Sequence, residues 1–66
     1  MTTKGLLKHR IEETLRERGA MKTREIAREL GEDPRAVAAC MISLAYAGRI
    51  LAVRRDPIRG NDWIAV

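Results

Sequence analysis

The side chains best suited to covalent or acid–base chemistry are His9, Cys40 and Ser43. Catalysis needs a nucleophile, a base and a group orienting that base, all converging on one point. Helical periodicity puts His9 on the exposed side of a first helix, Cys40 on the inward face of a third and Ser43 near that helix's edge. The three do not converge, so the chain reads as a non-enzyme. One His and one Cys about thirty residues apart are too few ligands for a metal site. Gly48 and Gly60 are isolated turn glycines rather than a phosphate-cradling loop. No cofactor and no small-molecule substrate are therefore expected. A lone cysteine also excludes an intrachain disulfide and fits a reducing compartment, so the expected location is cytoplasmic.

The remaining chemistry is that of cations. Thirteen Lys and Arg against nine Asp and Glu give a net charge of +4, which favours an acidic partner such as nucleic acid. Eight basic and five acidic residues precede Glu32, and from Glu32 onward there are five and four, so the excess is not massed in a disordered basic arm. The longest uncharged run, Ala36 to Gly48, falls short of the roughly 20 residues that span a bilayer. No membrane partner is expected. Sixty-six residues form a single domain, 1–66, with a thin core of Leu, Ile, Val, Met and Ala, because the chain has no Phe, one Tyr and one Trp. A second copy would add buried area, which makes a homodimer a natural expectation.

The elements that must position these charges follow from periodicity. Leu7, Ile11 and Leu15 recur every four residues, with Lys8, His9, Glu12, Glu13 and Arg16 on the other side, which predicts an amphipathic helix over about 4–18. Thr2 or Thr3 is placed to cap its start and Gly19 to end it. An extended link, Ala20 to Lys22, carries Met21 into the core. Thr23 is then the expected cap of a second helix, about 23–30, with Ile26, Ala27 and Leu30 inward and Gly31 as its stop. Asp33 followed by Pro34 is a stronger start signal, since the carboxylate accepts from free amides and proline needs none at the first helical position. This predicts a third helix over about 34–47 with Val37, Cys40, Met41 and Leu44 inward. Past Gly48 the period shortens: Ile50–Arg55 and Asp62–Val66 are β-prone around the turn formers Asp56 to Asn61, a hairpin over about 50–66. Trp63 is the side chain expected to anchor that hairpin on the helices. Glu12 with Arg16 and Glu25 with Arg28 read as surface ion pairs.

Ala27, Gly31 and Val37 have the spacing of a helix-turn-helix: a small residue for close approach, a turn glycine and an apolar residue at the crossing. Ile26, Leu30, Met41, Leu44, Ala47, Gly48 and Ile50 continue the pattern into a strand. In this order of elements the chain resembles winged-helix proteins, a mainly α, three-helix α+β fold with a β-hairpin wing. The cysteine cluster in the wing of the small winged-helix proteins associated with ferrous-iron transport is missing here, since Asp56 to Asn61 contains no Cys.

The resemblance implies a DNA-binding protein, a regulator of transcription or replication, whose third helix enters the major groove of double-stranded DNA. It implies that Thr23 and Arg24, at the start of the second helix, face phosphate. Arg35 in the first turn of the third helix can read guanine, and Arg54, Arg55 and Arg59 belong to the wing, where they can meet phosphate or a narrow minor groove. Ala39, further along the outward face of the third helix, and Ser43, at its edge, are the other DNA-contact candidates, the first for a thymine methyl and the second for a hydrogen bond. That ridge, Arg35, Ala39, Ile42 and Tyr46, is mostly apolar, which is unusual for a base-reading helix. Ala39, Ile42 and Tyr46 therefore suit an alternative: an adaptor or dimerisation module meeting a protein partner or a second copy of itself.

Overall fold

The computed structural model describes residues 4–66, so the caps expected at Thr2 and Thr3 lie outside the described residues. The elements are helix α1 (Lys4–Arg18), strand β1 (Met21–Lys22), helix α2 (Thr23–Leu30), helix α3 (Pro34–Tyr46) and strands β2 (Ile50–Arg54) and β3 (Asp62–Ala65). This is the expected winged helix-turn-helix, with one strand more than the hairpin. β3 lies in the middle of an antiparallel sheet, pairing with β2 on one side and with β1 on the other, Met21 opposite Trp63 and Lys22 opposite Asp62. Two residues are too few to show a period of two, which is why the extended link did not read as a strand.

The core gathers Leu7, Ile11 and Leu15 of α1, Ile26 and Ala27 of α2, Val37, Cys40, Met41 and Leu44 of α3, and Ile50 at the start of β2. Met21, Leu30 and Trp63 pack against it half-buried, so the tryptophan anchors the hairpin as expected. Each fully buried aliphatic side chain contributes about 1.5–3 kcal/mol relative to exposure, and the helical spacing of these residues delivers them to one interior.

Helix ends set the turn geometry. Gly31, at φ +66°, lets α2 stop in the left-handed conformation, and the Glu32 N–H donates to the Ala27 carbonyl at 2.9 Å. Asp33 caps α3 as expected, its Oδ1 accepting from the Arg35 N–H at 3.0 Å, with Pro34 in the first turn. α3 ends at Tyr46 with Ala47 as its cap, one residue short of the expected end.

Three local expectations are corrected. Thr23 does not cap α2: β1 runs straight into the helix, so Lys22 holds the cap position and its backbone N–H donates to Glu25 Oε1 at 2.9 Å. Glu25 thereby serves Lys22 rather than Arg28. Glu12, expected on the solvent side of α1, is buried, because Arg49 reaches it from the start of β2 with Nε 2.8 Å from Oε1. Arg16 lies 3.5 Å from Oε2. The Arg49–Glu12 hydrogen bond and the charge of Glu12 hold the Arg49 guanidinium above its ordinary value, and the pair links α1 to the wing.

Candidate nucleic-acid interface

α2 and α3 both begin on the side of the molecule where the wing turns. Thr23 and Arg24 open α2, Pro34 and Arg35 open α3 with Ala38 one turn further, and Arg59, Gly60 and Asn61 close the wing turn; together with Lys22 they line one open hollow of about 430 Å³. Four of the sequence-predicted residues, Thr23, Arg24, Arg35 and Arg59, are thus brought together from three separate elements. Among the described residues no carboxylate lines the hollow. Among the described residues, Arg24, Arg35 and Arg59 take part in no ion pair closer than 4.0 Å. Their guanidiniums are left with their donors available.

Lys22 has a different role. Its Nζ donates to Asp62 Oδ1 at 2.7 Å and to the Gly60 carbonyl at 3.3 Å, and both side chains of the ion pair are only 20–24% exposed. It ties the entry of α2 to the base of the wing and so fixes the span across the hollow. The wing turn is itself held from within. Asp56 Oδ1 accepts from the Ile58 N–H at 2.9 Å and the Arg59 N–H at 3.1 Å, and the Gly60 N–H donates to the Asp56 carbonyl at 2.8 Å. The Arg59 amide first, then the Ile58 amide, with smaller help from the charges of Lys22 and Arg54, hold the Asp56 carboxyl below its ordinary value.

The other sequence-predicted residues stand apart from this hollow. Arg54 is exposed, with Nε 4.0 Å from Asp62 Oδ2, and Arg55 is exposed beside it. Ala39 and Ser43 face the opposite flank of α3, where with Leu7, Lys8, Glu32, Ala36 and Cys40 they line a groove of about 400 Å³ against α1. Ile42 and Tyr46 line a third, apolar hollow of about 310 Å³ with Ala45 and Trp63. The exposed ridge of α3 therefore divides among three surfaces. Lys22, Pro34, Ala38, Gly60 and Asn61 were missed as lining residues. A signal existed only for Ala38, which follows Arg35 at helical spacing.

Of the reactive side chains, His9 is exposed with Nε2 3.4 Å from Glu13 Oε2, Cys40 is buried and Ser43 is exposed. Among the described residues no group of three or more His, Cys, Asp or Glu is placed to hold a metal ion, and no helix is long and apolar enough to cross a membrane.

No protein-family model matches the chain, and no curated protein matches it. Solved structures do. The Zalpha domain of Carassius auratus PKZ, determined in complex with Z-DNA, superposes with a TM-score of 0.86 at 18% identity, covering 98% of this chain and 100% of that one. The apo Zalpha domain of zebrafish PKZ superposes with a TM-score of 0.87 at 22% identity, covering 98% of each. At such identities the likeness is one of fold. The chain has the winged-helix fold over nearly its whole length.

Proposed function

We propose that this chain is a small DNA-binding regulator of transcription or replication that holds duplex DNA against the face formed by the starts of α2 and α3 and the wing turn. Arg24 and Arg59 take phosphates on either side of the hollow, the first assisted by the free amides at the start of α2. Arg35, in the first turn of α3, points its planar fork at the groove, where it can pair with guanine O6 and N7. Arg54 and Arg55 extend the cationic surface along the wing. The observation that carries this reading is the convergence of three arginines, from three elements, on one hollow that, among the described residues, no carboxylate lines. The Carassius auratus domain of the same fold was solved with Z-DNA bound, which supports nucleic acid as the partner.

The test is a duplex titration by fluorescence anisotropy across a range of salt concentrations. Each phosphate contact contributes about 0.9 to the slope of log affinity against log salt, so replacing both Arg24 and Arg59 by Ala should flatten the slope by about 2. Unchanged affinity and slope in the double variant would end this reading.

A second reading has its own observation. Ile42 is 60% and Tyr46 89% exposed beside Trp63, an apolar surface that suits a protein partner or a second copy of the chain through Ile42 and Tyr46, with Ala39 on the neighbouring flank. Under it, Ile42→Glu abolishes association with that partner while leaving duplex affinity in place.

A further inference from the structure

The wing turn presents a side chain that the cationic hollow does not use. Ile58 is 91% exposed, more than any other large apolar residue among those described. Its backbone is not loose. The Ile58 N–H is bonded to Asp56 Oδ1, and the flanking Arg59 and Gly60 amides are bonded to the same residue, so the turn backbone at Ile58 is ordered before binding and only the side chain remains to be fixed. Arg59, the next residue, lines the hollow, and Arg54 and Arg55 lie on the other arm of the same turn. An isolated exposed isoleucine is ordinary. One fixed at the tip of a hairpin between arginines is what an apolar contact to a nucleic-acid groove requires, with cations on the phosphates and a branched side chain against sugar and base surface between them.

Resting on the duplex-binding reading above, we infer that Ile58 is a groove contact: the wing lowers it onto deoxyribose and base surface beside the phosphates held by Arg24 and Arg59. The contact contributes affinity by burying apolar area and displaces no counterion. It therefore leaves a signature that no arginine leaves.

The experiment compares wild type, Ile58→Ser and Ile58→Leu in duplex titrations at several salt concentrations, with sedimentation of each protein alone. Ile58→Ser should lower affinity about tenfold at every salt concentration, for an isoleucine about half covered on binding, and the slope against salt should stay that of the wild type. Ile58→Leu should recover most of the loss. Affinity of the serine variant within twofold of wild type overturns the inference. So does a slope changed by one or more, which would mean that the substitution acts through the arginines. A serine variant that alters self-association in the absence of DNA assigns Ile58 to a contact between copies and also overturns it. Should wild type itself fail to bind any duplex, the duplex-binding reading falls with it, whereas a binding wild type with an indifferent serine variant removes the Ile58 contact alone.

Discussion

The Lys22–Asp62 ion pair sets the distance between the start of α2 and the wing, and its removal has a calculable cost. Lys22→Met keeps the stem of the side chain and deletes the charge, leaving Asp62, among the described residues, with only Arg54 at 4.0 Å. A charge-assisted hydrogen bond inside a protein is worth about 1.5–3 kcal/mol and an exposed ion pair about 0–1. With both partners 20–24% exposed and a separation of 2.7 Å, solvent screens part of the interaction and a loss of about 1.5 kcal/mol is expected. Unfolding entropy of about 2.1 cal/mol/K per residue gives about 0.14 kcal/mol/K for 66 residues, so the melting temperature should fall by about 10 °C. Thermal unfolding followed by circular dichroism measures this directly. A double-mutant cycle with Asp62→Asn should return a coupling of about 1 kcal/mol. A fall under about 3 °C, or a coupling indistinguishable from zero, would refute the assignment of Lys22 as the tie between helix and wing.

Two further outcomes follow from packing and titration. Ile11, fully buried at the centre of the core, should cost about 3 kcal/mol or more when replaced by Ala, a large share of the roughly 3–10 kcal/mol that a domain of this size holds, and chemical denaturation should show the midpoint collapsing. The Asp56 carboxyl is held below its ordinary 3.8 in the folded chain, so its contribution to stability is fully present above that value and is lost as pH falls through the lower folded value. Acid titration of wild type and Asp56→Asn should therefore converge in stability at the acid end and diverge above about pH 4, and parallel curves would contradict the role of the carboxylate in the turn.

Much of this architecture was legible because its signals are local. The four-residue recurrence of Leu7, Ile11 and Leu15, the Asp33–Pro34 start and the stops at Gly31 and Gly48 each act within a turn of chain, and each marks a boundary to within a residue. What stayed hidden depends on partners far along the chain. Glu12 looked like a solvated charge because Arg49, 37 residues away, is what permits its burial. β1 is a strand only because β3 pairs with it. The interface divides in the same way. Periodicity identified Arg35, Ala39, Ile42 and Tyr46 as outward-facing, and they are exposed. It carried no information on which neighbour stands beside each flank of α3. The wing turn adjoins Arg35 and Ala38, α1 adjoins Ala39 and Ser43, and Trp63 adjoins Ile42 and Tyr46, so a ridge that reads as one surface is three.

That division makes a residue-resolved measurement the most direct test of where a duplex sits. Amide chemical shifts of the labelled chain, followed during titration with a short DNA duplex, should move at residues 22–24, 35–38 and 58–61 and stay still along the α1 side of α3. Shifts confined to Leu7, Lys8, Ala39 and Ser43, or to Ile42, Tyr46 and Trp63, would place the partner on another face and contradict the clamp of Arg24, Arg35 and Arg59.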